Sequence, residues 1–447
     1  MATLDTSAAA YQFKRVYGDK LTDLFHRQAM TYNLFMKSSR KASVRPGGAG
    51  YYFGLRQGAN EAVGARLEGT YLPEPLAGSG SQGIILPRMI YGSMRMSGLA
   101  IEAGKGNIAA FVDAQGDAVA DLYKSIVSDL NRQCHGDSFG LLGITSANTN
   151  PVTGSTWTAT FDNDRGVRYL RKGMICDFYD TAGTAIDVTA TSVRISSINP
   201  NTRVVTFEAA AGSYKAFHPI VAAQSYTETT EQIDSTSQLV RYGAREVAHA
   251  TTDTSNEMMG LLGMYDDGSL LGTFEGVTAI TTTNKEFQAN VLSNSSVNRE
   301  LSIDLMLAAM DMTSARADNA NASIIRMGLG QRRKYFGLLA PDVRYAPQKL
   351  LGGYEKLAFS QNAGVSIVVD PYTQPNRLFF ETDNAIKRYE LKALGWGGFT
   401  PGKMHWRENY DEGTMFLSVY TNLGVENRRA LTLLSDLTEP SSSSMPF

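Results

Sequence analysis

Apolar positions recur at helical spacing along one long stretch, 107–133. Val112, Val119, Tyr123, Ile126 and Leu130 keep to one face of a 3.6-residue period, and Phe111, Ala114, Ala118 and Leu122 widen the stripe. Asp113, Asp117, Asp121, Lys124 and Asp129 fall among its polar positions. The pattern predicts a helix roughly 40 Å long, at 1.5 Å per residue. Asn107 is its expected cap, and it ends near His135-Gly136, where Gly136 can adopt the left-handed terminal conformation. A second helix is predicted from Ser302 to Arg316, with Ile303, Met306, Leu307 and Met310 on its apolar side, and a third from Gln331 to Leu339.

Alternation of period two marks other stretches. Residues 156–161, 174–179, 188–198 and 203–208 read as strands, with turns at 181–184 and 199–202. Closely spaced strands with turn signals imply a small β-barrel or sandwich, here inserted over 145–225 between helical parts. Later strands are predicted at 323–327, at 365–370 where Pro371 stops the run, at 378–380, and at 386–394. The last ordered stretch is 415–434, and the Ser- and Pro-rich tail 439–447 frays. The fold class is α+β.

Two segments fit neither pattern. Residues 46–106 contain 14 Gly and 4 Pro, yet hold strand-like pieces at 51–55, 84–86 and 89–94. They read as a long two-stranded excursion or as a flexible linker. An isolated hairpin is marginal in water, so an ordered excursion needs support from another body. Residues 1–45 carry eight Lys and Arg against three acids, in a chain whose formal net charge is -2. Phe13, Tyr17, Leu21, Leu24 and Phe25 suggest a loose amphipathic helix, either a solvated surface element or an arm that lies along another chain or faces nucleic acid.

Composition narrows the classes. With 447 residues, 43% of them hydrophobic and 19% charged, the chain buries at least one core and is globular. No apolar run approaches roughly 18–20 residues, so no membrane span is expected. Residues 1–10 lack the pattern of a secretory leader. Cys134 and Cys176 match no zinc spacing and make no disulfide framework, which suits a reducing compartment. The phosphate loop, the H-E-x-x-H pair and the G-x-S-x-G elbow are all absent. His26, His135, His218, His249 and His405 are scattered and read as packing or surface residues. Gly328-x-Gly330 before Arg332, Arg333 and Lys334 reads as an anion site at a helix start or as a basic contact patch. Asp266-Asp267 and Asp162-x-Asp164 read as turn acids or as ligands for a divalent cation. Trp396 between two glycines reads as a packing anchor. The expectation is no catalytic residue, no cofactor and no metal.

A resemblance adds to this reading. Asn131-Arg132-Gln133-Cys134-His135-Gly136-Asp137-Ser138-Phe139-Gly140-Leu141-Leu142 resembles the N-R-x-x-x-G-D-x-x-G-x-L run after the spine helix of HK97-like major capsid proteins of tailed double-stranded DNA bacteriophages. Glu68 to Pro73 and Tyr91 to Gly98 resemble the extended loop before that helix. Val365 to Pro371 followed by Asn376 to Phe380 resembles a late strand pair, and Asn422 to Ala430 is similar to the closing segment. The resemblance implies an N-terminal arm (1–48), an extended loop (49–106), and a spine helix with the start of a peripheral domain (107–144). The inserted β domain (145–225), an axial domain with parts of the peripheral domain (226–400), and the end of the peripheral domain with the C-terminal tail (401–447) follow. It implies a shell subunit that assembles as pentamers and hexamers in the virion head, built in the host cytoplasm without a membrane. Implied partners are a portal protein, a separate scaffolding protein, a decoration protein and nonspecifically bound packaged DNA. Lys14, Arg15, Lys37, Arg40, Lys41, Arg332, Arg333 and Lys334 are assigned as DNA-facing or inter-subunit residues. No Lys–Asn cross-linking pair can be matched. The alternatives are another virion component, such as a tail-tube or portal-associated subunit, and a hydrolase using Asp or His from 230–400.

Overall fold

The structure is a computed structural model. It describes residues 30–45, 48–58, 63–71, 78–99, 114–147, 156–162, 165–179, 193–208, 233, 235–244, 255–318, 321–339, 357–359, 365–397, 405–406 and 409–439. The expected N-terminal helix and its residues Lys14 and Arg15, the Asn107 cap, the 181–184 turn and the 440–447 tail lie outside them.

The Gly-rich stretch forms a hairpin of β1 (Gly48–Arg56) and β2 (Gly80–Ile85), paired from Tyr51↔Ile85 to Arg56↔Gly80. Its base is anchored in the chain's own core, where Tyr51, Phe53 and Ile85 are buried. The third expected piece does not extend the excursion. It becomes β3 (Arg88–Ser97) in a different sheet. Then comes the long helix, α1, described over Ala114–Gln133. Ile126 and Leu130 are buried as the period requires, but Tyr123 is 51% exposed. The turn after α1 also corrects the sequence reading. Gly136 is not left-handed; Ser138 (φ 74°) and Gly140 (φ 70°) make the reversal two and four residues later.

The inserted domain is a barrel. Its strands are β4 (Leu141–Ile144), β5 (Trp157–Thr160), β6 (Ile175–Tyr179), β7 (Val193–Asn199), β8 (Val204–Phe207) and β9 (Gln238–Arg241). They pair antiparallel in the order β4-β9-β6-β7-β8-β5. A Thr145↔Phe161 bridge, with Ser146 N–H donating to Thr160 O and Asp162 N–H to Ile144 O, joins β5 back to β4 and closes the ring. Closure decides between the two expected architectures. It also widens the expected 145–225 boundaries, because β4 and β9 lie outside them. Alternation fills the lumen: Trp157 stacks on Phe207 at 4.5 Å, with Phe178, Ile195 and Val205 buried around them. At the predicted 199–202 turn the Asn199 side chain accepts from the Asn201 and Thr202 N–H groups.

Further elements are β10 (Asn290–Leu292), α2 (Ile303–Arg316), β11 (Ala322–Met327), α3 (Leu329–Leu339), β12 (Leu357–Phe359), β13 (Val365–Val369), β14 (Leu378–Thr382), β15 (Ile386–Trp396), β16 (Glu412–Val425) and β17 (Leu431–Leu434), beside shorter pieces such as the Met30–Leu34 helix. Ser302 caps α2 by accepting from Leu305 N–H, at the residue where the sequence places the helix start. One mixed sheet has the order β10-β17-β14-β11-β13-β12, and α2 packs on it through Met306, Ala309 and Thr313. The other sheet is centred on β16, which pairs with β15 on one side and with β3 over ten residues on the other. α1 lies across one face of β3. A Cβ at Gly92 would stand 2.5 Å from Ile126 Cδ1, so a larger residue here would force the Ile126 and Leu122 side chains to shift.

Candidate functional site

Two of the segments singled out by resemblance, 131–142 and 365–371, meet at the C-terminal end of α1. Asn131 Oδ1 accepts from Thr31 N–H at 3.0 Å. Arg132 forks onto Glu257 with both terminal nitrogens and onto Asp129 with Nε. Gln133 Oε1 accepts from Met258 N–H at 3.0 Å, and its Nε2 donates to Asp129 at 2.9 Å. His135 Nε2 lies 3.3 Å from Asp370 Oδ2, and the Thr31 hydroxyl also donates to Asp370. Farther on, Asn422 Oδ1 accepts from Met259 N–H while its Nδ2 donates to Leu86 O. Arg428, fully buried, donates to the carbonyls of Gly263, Met264 and Asp266 and lies 4.1 Å over the Phe274 ring.

Electrostatics follow from this packing. Burial pushes the Asp370 carboxyl up, but His135, the Thr31 hydroxyl and the Tyr372 N–H outweigh it and hold Asp370 well below the usual carboxylate range. Burial lowers Arg428 to about 10, because the nearby acids compensate only in part. Burial pushes the Cys176 thiol up to about 12 and the Cys134 thiol higher still. These groups are fixed in one protonation state near neutral pH. Asp370 and Arg428 join segments distant in sequence, and their chemistry is that of structural ties.

Tyr372 couples the barrel to this node. Its ring lies between Tyr169 (6.0 Å, 10° between planes) and His135 (6.4 Å, 23°). Tyr169 Oη donates to Tyr372 O at 2.6 Å, and Arg168 Nη1 to Thr373 O at 2.7 Å.

The basic candidates are divided among elements. Lys37 pairs with Glu390 at 3.1 Å, and Arg40 forks onto both Glu426 oxygens. Lys41 is exposed. Arg332, Arg333 and Lys334 are half-buried on α3, and Lys334 pairs with Glu300. The start of α3 does not offer an open anion site. The Glu439 carboxylate sits over Gly330, bound by Gln331 Nε2 at 2.8 Å and Asn376 N–H at 3.2 Å. Asp266 is likewise taken up by the chain, accepting from the N–H groups of Gly268, Leu270 and Leu271. Asp162 organises a turn by accepting from Arg165 and Gly166 N–H, and Asp164 lies outside the described residues. Among the described residues no cluster of His, Cys, Asp or Glu is arranged to hold a metal, and no helix is long and apolar enough to cross a membrane.

Two apolar surfaces have no support from the described residues. At the end of the β1–β2 excursion, Val63, Leu67 and Tyr71 are 86%, 81% and 96% exposed. They flank a turn in which Thr70 binds Leu67 O through both N–H and hydroxyl. The second surface is the face of β3 and β16 opposite α1. There Tyr91 packs edge-on against Phe416 and Tyr420, its hydroxyl 3.3 Å from that of Tyr420, beside exposed Met89. The alternation of Met89 and Tyr91 with Ile90 and Gly92 was the available signal for this face, and the sequence reading missed it.

No protein-family model matches the sequence, and no curated protein matches it. Solved structures do match over nearly the full length. The subunit in the Cyanophage A-1(L) capsid asymmetric unit is 13% identical with a TM-score of 0.50, covering 98% of this chain and 100% of that one. The capsid of the empty GTA particle is 8% identical, covers 98% and 100%, and has a TM-score of 0.47. The capsid of Myoviridae Phage XM1 is 10% identical, covers 96% and 98%, and has a TM-score of 0.42. The chain has the HK97-like capsid fold, with a small closed β-barrel inserted after the long helix.

Proposed function

We propose that the chain is a major capsid protein, copies of which assemble as pentamers and hexamers into the icosahedral head that encloses a tailed phage's double-stranded DNA. One observation carries this reading. The apolar tip at Val63, Leu67 and Tyr71 stands at the end of an arm whose base alone is held in the core. Such a tip leaves water only against another body. The full-length likeness in fold to the A-1(L) capsid subunit favours another copy of the chain as that body. Apolar burial at roughly 25 cal/mol per Å² would drive each contact, and simultaneous contacts reinforce one another.

In this reading the β16-centred sheet with α1 is the peripheral domain, and the β10–β17 sheet with α2 and α3 is the axial domain. A portal protein, a separate scaffolding protein and a decoration protein are the expected partners. DNA contact is nonspecific and falls with salt. Lys14, Arg15, Lys41, Arg332 and Arg333 are its first candidates, because Lys37, Arg40 and Lys334 already hold acids of their own chain. The test is negative-stain electron microscopy of the overexpressed chain, alone and with its scaffold. Closed shells are expected. Tubes would favour a tail component, and a persistent monomer under both conditions would overturn the proposal.

A further inference from the structure

Between α1 and the barrel lies an open cleft of about 350 Å3, lined by Asp121 and Ser125 of the helix and by Arg171, Lys172, Arg241 and Tyr242 of the barrel. Three cations, Arg171, Lys172 and Arg241, line it against one acid, Asp121. Arg241 Nη1 donates to the Ile175 carbonyl at 3.2 Å; it favours the charged forms of Asp129 and Glu257 from a distance but forms no ion pair with a carboxylate among the described residues. Arg171 reaches Asp129 only at 3.8 Å, and that carboxylate is already bound by Arg132 and Gln133. Lys172 is exposed and pairs with no acid among the described residues. Glu257, another buried acid, is bound by both terminal nitrogens of Arg132. Asp121 and Tyr242 have interactions of their own. Burial, together with the guanidiniums of Arg241 and Arg132, holds Arg171 below the ordinary arginine value despite Asp129.

We propose that this cleft binds a phosphate-type oxyanion, held by Arg171, Lys172 and Arg241 with the Ser125 hydroxyl as a further donor. Guanidinium groups pair with phosphate through parallel charge-assisted bonds, and a half-buried wall strengthens them relative to open water. The volume exceeds many times the roughly 30 Å3 share of one water, which leaves room for pyrophosphate or a phosphodiester segment. Because the donors come from both sides, the bound anion ties the barrel to α1. This reading does not depend on shell assembly.

The test uses the full chain, titrated with sodium pyrophosphate at constant ionic strength and followed by thermal melting and phosphorus NMR. A saturable rise in melting temperature is expected. Lys172→Glu and Arg241→Gln should each weaken binding by roughly tenfold or more, the loss of one charged contact, while Lys172→Arg retains it. Lys172 is exposed, so its variants should melt as the wild type does without ligand; they decide the matter if Arg241→Gln fails to fold. A parallel arm uses a short DNA duplex. Duplex binding that pyrophosphate displaces and Lys172→Glu weakens identifies a nucleic-acid backbone as the source, and pyrophosphate binding alone identifies a free phosphate. Absence of saturable binding in both arms, or binding unchanged by Lys172→Glu, overturns the proposal.

Discussion

Arg132 and Glu257 show how a motif residue acts in this fold. The pair is buried and bidentate, and Asp129 takes the remaining Nε of the guanidinium. Truncating one partner leaves the other charge in a low dielectric. Glu257→Ala should therefore cost about 3–5 kcal/mol in a denaturant melt. A second residue-scale case is Glu275. Burial holds its carboxyl well above the usual range, and Oε2 is sealed from solvent without a partner while Oε1 accepts from Val425 N–H. Its folded value lies above the unfolded one, about 4.3. Its stabilising contribution is complete below that value and is lost as pH rises through the folded value. Glu275→Gln, which mimics the protonated form, should match the wild type near pH 4 and exceed it increasingly toward neutral pH. A constant difference across that range would contradict this. The sequence marked Asn131, Arg132 and His135 as a group but could not name Glu257, Thr31 or Asp370 as their partners. Those lie 125, 100 and 235 residues away from the positions they bind.

At the scale of elements, the close approach of α1 to β3 rests on Gly92. Gly92→Val would drive methyl groups into Ile126 and Leu122, and overpacking of this kind costs about 1–3 kcal/mol. Lower resistance to urea, with the far-ultraviolet spectrum unchanged, is the expected readout. Element identities were largely legible. Ser302 as the cap of α2 and Pro371 as the end of β13 follow from local chemistry, and the barrel strands from alternation. Partnerships were not. Tyr123 falls on the apolar face by period, yet it is exposed. β3 resembles a continuation of the loop but pairs with β16, more than 300 residues later.

For the whole molecule, the contrast between a held base and a bare tip organises the functional reading. Leu67→Ser with Tyr71→Ser removes apolar area that the isolated subunit never buries. The melting curve of the isolated subunit should stay within about 0.5 kcal/mol of the wild type, as for surface substitutions. Shell yield, read by sedimentation and microscopy, should fall sharply. Undiminished yield would show that the tip makes no essential contact.

Periodicity, turn chemistry and composition determined by themselves that this chain is α+β, that a long helix follows a Gly-rich excursion, and that closely spaced strands form a small β unit. These are local properties, set within a few residues by backbone geometry and by the burial of alternate positions. Only the tertiary structure decided that the β unit closes into a barrel, that Glu439 fills the start of α3, and which cations keep no acid of their own. Those outcomes depend on groups brought together from distant parts of the chain, and a linear pattern carries no record of distance in space.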